Sequence, residues 1–130
     1  MVTGTEYQNL AMRTNDGKAT NRLLKLTLSD TTENGIGEDT GTVLNACLGL
    51  SGEVGEFNDM IKKWIFHEKE LDEEHLKKEC GDIMWYIVMM CHAFRWNLDE
   101  IMQMNIDKLK ARYPEGFDTD RANNRDGGDV

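Results

Sequence analysis

The chain has 130 residues, a formal net charge of -9, 39% hydrophobic and 30% charged residues, and one proline. This composition suits one soluble helical domain better than a fibrous or disordered chain. An acidic protein with a pI near 4.7 does not grip nucleic-acid polymers through its general surface, because phosphate contacts need clustered Lys and Arg.

The opening MVTGTEYQNL lacks the basic and apolar regions of a signal peptide. A first amphipathic helix is predicted over residues 5–13, with Tyr7, Leu10 and Ala11 on one face. Residues 14–41 shift to Asn, Asp, Thr and Gly, broken by Leu23, Leu24, Leu26 and Leu28, and read as a loop or insertion carrying a turn or short helix. The second long helix is predicted over residues 42–66. Its expected core stripe is Val43, Leu44, Cys47, Leu48, Val54, Phe57, Ile61 and Ile65.

Glycines at 49, 52 and 55 each cost a helix interior up to about 1 kcal/mol relative to alanine, so a neighbouring helix or a ligand is expected close to them. HEKELDEEH is a connection, with Asp72 the N-cap of the next helix. Residues 83–94 are apolar on nearly every side, which implies that neighbours surround them, some from another subunit. This run is too short to span a bilayer. Cys80 is expected to point toward the core, and His92 to be buried and hydrogen-bonded. Asn97 or Asp99 opens a further helix that reaches Tyr113 and stops at Pro114 and Gly116. The polar tail, residues 118–130, is expected to be mobile unless it packs on a partner. Cys47, Cys80 and Cys91 form no CxxC and suit a reducing, cytoplasmic setting.

The chemistry lies in two matched acidic pairs, Glu53 with Glu56 and Glu79 with Asp82. Spacing of i, i+3 puts each pair on one helix face, about 5–6 Å apart. Four acids facing one another across packed helices repel unless a cation sits between them, and hard oxygen ligands select a hard ion, most simply Mg²⁺. Trp64 and Tyr86 are candidates to receive a flat base. Asn105, Lys108 and Arg112 share one face of their helix and, with Lys63, are candidates to neutralise phosphate oxygens.

Each piece alone has an ordinary explanation. A single E-x-x-E is usually a solvated face, the Asn105 face is an ordinary exposed one, and Trp64 and Tyr86, taken individually, are more often core than base-stacking residues. A ferritin-like di-iron bundle also gathers carboxylates but needs Glu-x-x-His pairs, which none of the three histidines completes. A non-enzymatic interaction module is the remaining alternative.

The motif Glu53-Val-Gly-Glu56, a spacer, then Glu79-Cys-Gly-Asp82 resembles that of the MazG-like, all-α nucleoside triphosphate pyrophosphohydrolases. LNACLGLSGEVGEF and MNIDKLKARYPEGF are also similar to the family, so the resemblance covers about residues 44–117. It implies a single domain with its core at about residues 42–117, folded as an all-α, four-helix-bundle-like MazG-type protomer that assembles as a homodimer or homotetramer. It further implies Mg²⁺-dependent hydrolysis of nucleoside triphosphates between the α- and β-phosphates, with Mn²⁺ a possible substitute. Glu53, Glu56, Glu79 and Asp82 would be the metal ligands, with Glu56 or Glu53 doubling as the base. Lys63, Asn105, Lys108 and Arg112 would contact phosphate or sugar, and Trp64 and Tyr86 would lie near the base. No membrane or nucleic-acid polymer is expected as a partner.

Overall fold

Six helices make up the computed structural model, which describes residues 1–29 and 39–124: α1 (Gly4–Met12), α2 (Ala19–Ser29), α3 (Thr40–Phe66), α4 (Glu73–Phe94), α5 (Leu98–Arg112) and α6 (Thr119–Asn123). Among the described residues there is no strand. The fold is all-α, as composition and motif led one to expect. Residues 14–41 hold the short helix α2, and their stretch 30–38 lies outside the described residues, as does the end of the tail, 125–130.

Polar caps set the helix starts. Asp39 accepts from the backbone N–H and the hydroxyl of Thr42 to open α3. Asp72 accepts from the His75 N–H at 2.9 Å to open α4, and Asn97 accepts from Asp99 to open α5. A side-chain oxygen at the N-cap satisfies one of the backbone donors that the first turn leaves unpaired. After α3 the chain turns through Glu68 at φ 54°, and α4 ends at Arg95 at φ 58°. The chain then folds back so that Phe94 and Trp96 stack at 4.5 Å between ring centroids.

The main packing is α3 against α4, with a light contact of α2 on α3. The two long helices form an antiparallel hairpin joined by residues 67–72. Its register follows from three neighbours: Asp39 feels the charge of His92, Gly49 meets Tyr86, and Glu53 faces Glu79 and Asp82. The α4 seam runs through Leu76, Glu79, Ile83, Tyr86, Met90 and Ala93, the less exposed positions at three- and four-residue steps.

The α3 seam keeps Val43, Phe57 and Ile61 of the predicted stripe and departs from it elsewhere. Ala46 is buried, and Val43, Gly49, Leu50, Glu53, Phe57, Met60 and Ile61 are half-buried, while Leu44, Cys47, Leu48, Val54 and Ile65 are exposed. Ala46 and Gly49 let the two helices approach closely beside Val43, Leu50, Phe57, Met60 and Ile61, and the row of Leu44, Leu48, Val54 and Ile65 is left facing outward. Two further expectations are corrected: Cys80 is exposed rather than core-facing, and His92 is exposed rather than buried. Both sit on α4 positions that the described residues leave open to solvent. The same holds for Met84, Trp85, Ile87 and Val88.

Candidate functional site

The antiparallel register sets the two acidic pairs opposite one another. Glu53, Glu56 and Glu79 each offer a carboxylate oxygen, and these atoms lie within 4.8 Å of one another. Glu56 is exposed, Glu53 half-buried and Glu79 buried at 6% exposure. Asp82, one turn along α4, is exposed and outside that group, yet its charge still acts on Glu53. The Glu53 carboxyl is pushed up from its ordinary value, first by burial, then by the charges of Glu56, Asp82 and Glu79 and the direct approach of the Glu79 carboxylate.

Glu79 carries the most telling detail. Its Oε1 lies 2.8 Å from Nε2 of His75, while its Oε2 is buried and has no hydrogen-bond partner among the described residues. A buried, unpaired carboxylate oxygen is costly, and it lies on the residue that completes a three-acid cluster. A cation there would answer both the orphaned oxygen and the like-charge repulsion. The donors are all carboxylate oxygens, so the residues fit a hard divalent ion.

Glu56 and Glu79 also line a cleft of about 540 Å³, a size that suits a small-molecule site. Its other walls are Gly52, Gly55, Asp59, Met60 and Lys63 from α3, residues 69–72 of the connection, and His75 from α4. Two of the three α3 glycines therefore open the cleft: a Cβ on Gly52 or Gly55 would meet nothing within 4 Å. Gly49 serves the other role, a close helix contact. A Cβ there would stand 2.1 Å from the Tyr86 ring.

The remaining sequence candidates divide. Lys63 lies in the cleft wall, half-buried, with its Nζ 2.5 Å from Asp59. That contact, then Lys62 at 3.2 Å, holds the Asp59 carboxyl below its ordinary value. Trp64 is exposed at 47% and is not part of the cleft wall. Tyr86 is half-buried against Gly49 and edge-on to Trp85 at 4.9 Å. Asn105, Lys108 and Arg112 lie on α5 and do not line this cleft. Asn105 and Lys108 are exposed, and the Arg112 guanidinium sits 5.9 Å from the Tyr113 ring centroid.

Sequence reasoning missed His75, Asp59, Lys69, Glu70 and Leu71 as cleft residues. His75 is four residues before Glu79 and Asp59 three after Glu56, so helical spacing alone was a usable signal for both. Lys69, Glu70 and Leu71 sit in the connection, where no periodicity points to them.

Residues 42–117 match the MazG nucleotide pyrophosphohydrolase domain, a span that includes all four acids of the motif. The chain is 31% identical over 83 residues to the Gene 37 protein of Mycobacterium phage L5, covering 60% of this chain and 72% of that protein. No solved structure matches the chain. MazG-type proteins are generally divalent-metal dependent, in keeping with the acid cluster between α3 and α4. The chain belongs to the MazG nucleotide pyrophosphohydrolase family.

Proposed function

We propose that this protein hydrolyses nucleoside triphosphates between the α- and β-phosphates, giving a monophosphate and pyrophosphate, with Mg²⁺ as its ion and Mn²⁺ as a substitute. The observation that carries the reading is the cluster of Glu53, Glu56 and Glu79 at the edge of a cleft that also holds Lys63. Glu53, Glu56 and Glu79 would hold the ion, and Asp82, exposed one turn away, would join them when substrate is bound. Mg²⁺ supplies charge neutralisation for the triphosphate and activates water for attack on phosphorus.

The chain's own residues do the rest. Glu56, exposed in the cleft, orients the attacking water and accepts its proton as the new oxygen–phosphorus bond forms. The bond from the α-phosphorus to its bridging oxygen breaks, and pyrophosphate leaves with that oxygen. Lys63, swung from Asp59, offers its ammonium to oxygens the ion does not reach. Gly52 and Gly55 keep the wall low enough for the nucleotide to lie against the helix backbone.

The reading includes a homodimer or homotetramer. It is supported by the uncovered apolar rows, with Leu48, Met84, Trp85 and Val88 exposed. In that assembly, Asn105, Lys108 and Arg112 of α5, together with Trp64 and Tyr86, complete the phosphate and base contacts. No helix of the described residues is long and apolar enough to cross a membrane, and the three free cysteines suit a cytoplasmic setting.

The decisive experiment is product analysis with a panel of nucleoside triphosphates, with and without Mg²⁺. Metal-dependent release of monophosphate and pyrophosphate in equal amounts is the expected result, and it should vanish in Glu56→Ala. Turnover retained in purified Glu56→Ala removes the role given to that residue. No turnover across the panel, together with no metal binding, returns the interaction-module reading.

A further inference from the structure

We propose that His75 is a positioning residue for the carboxylate cluster: by holding one oxygen of Glu79, it aims the other at the ion. The proposal rests on the metal-binding reading of Glu53, Glu56 and Glu79 given above. His75 Nε2 lies 2.8 Å from Glu79 Oε1, across one helical turn. Glu79 Oε2 is buried and without a hydrogen-bond partner among the described residues, and the carboxylate belongs to the three-acid group. A carboxylate with one oxygen tied and the other free has its plane set by the tie, so the free oxygen is presented in one direction only.

The His75 side chain is 56% exposed, and what is fixed is the backbone that carries it. Asp72 caps α4 by accepting from the backbone N–H of His75 at 2.9 Å, which sets the first turn on which the ring is mounted. His75 also lines the cleft beside Glu79 and Glu56. It therefore stands where it can act on the ligand set without taking a place in it. Groups that orient metal ligands typically contribute 10- to 100-fold to metal affinity.

The test is titration of the full-length protein with Mn²⁺ alone, free ion being read by electron paramagnetic resonance, alongside melting curves in EDTA. His75→Ala should weaken Mn²⁺ binding about tenfold and lower the EDTA melting temperature, because the buried Glu79 carboxylate loses its contact at Oε1. A merely structural contact would lower that temperature but leave the affinity alone. His75→Gln, which keeps a neutral N–H donor within reach of Glu79, should restore most of the affinity. Wild-type affinity in His75→Ala overturns the positioning role and leaves the proposed reaction standing. His75→Gln as weak as His75→Ala overturns the hydrogen bond as its means. No Mn²⁺ binding by the wild-type protein overturns the metal reading and this proposal with it.

Discussion

The ring of Tyr86 lies on the backbone of Gly49, so close that a Cβ on that glycine would stand 2.1 Å from the ring's Cε1 and 2.2 Å from its Cζ. This contact sets the spacing of α3 and α4, and with it the separation of the acids one turn further along. Gly49→Ala must push the ring aside. Overpacking typically costs about 1–3 kcal/mol, against a helix-propensity gain of at most about 1 kcal/mol, so a net destabilisation is expected in chemical denaturation.

Gly55→Ala should behave in the opposite way. The added methyl meets nothing within 4 Å, so stability should rise by up to about 1 kcal/mol. The same methyl narrows the cleft that Gly55 lines, so KM for the nucleotide should rise. A lower melting temperature would contradict the first half, and an unchanged KM the second.

Glu53 links stability to pH. Its folded-state carboxyl is raised above the ordinary value, so its contribution is complete at low pH and is lost as pH rises through the carboxylate range. Glu6, Asp16, Asp39 and Asp59 are lowered, so they stabilise above their ordinary values and lose that effect as pH falls. Glu53→Gln isolates the first term. In EDTA the variant should be more stable than wild type at pH 7, with the gap closing toward pH 4. Adding Mg²⁺ at pH 7 should raise the wild-type melting temperature and leave the variant's nearly unchanged.

Lys63 is held by Asp59 at 2.5 Å in the cleft wall. A hydrogen bond to a charged group contributes about 1.5–3 kcal/mol, so Lys63→Met should lower kcat/KM by about 10- to 100-fold. Stability should change little, because a half-exposed ion pair contributes at most about 1 kcal/mol. Steady-state kinetics beside a melting curve separate the two effects, and unaltered kcat/KM would remove Lys63 from the phosphate contacts.

Asp72→Ala removes the cap of α4, at a cost of about 1 kcal/mol, and loosens the turn that carries His75. Capping by Asn at the same position should recover most of that stability in a urea titration.

Much of the fold is legible in the sequence. Helix starts at Asp72 and Asn97 could be read because a short polar side chain before an apolar run has one economical use, the capping of free N–H groups. The acidic pairs could be read because i, i+3 spacing puts two side chains on one face whatever the helix packs against. The α3 core stripe could be read only in part, at Val43, Phe57 and Ile61. Leu44, Leu48, Val54 and Ile65 have the right period, but periodicity counts apolar residues, whereas the rest of the seam includes Ala46, Gly49 and Glu53. Cys80 and His92 were misplaced for a related reason, since an apolar run looks buried whether or not this chain supplies its cover.

Local chemistry written in the sequence thus determined the helices, their caps, the family motif and the sharing of one face by each acidic pair, because those depend on residues within a turn or two of each other. Only the tertiary structure decided which faces meet. The antiparallel register of α3 and α4 brought Glu53 and Glu56 to Glu79, left Glu79 Oε2 without a hydrogen-bond partner among the described residues, opened the cleft at Gly52 and Gly55, and placed α5 away from that cleft. Register is a long-range property: it is set by how closely two surfaces can approach, here by Tyr86 on Gly49, and no local spacing encodes it.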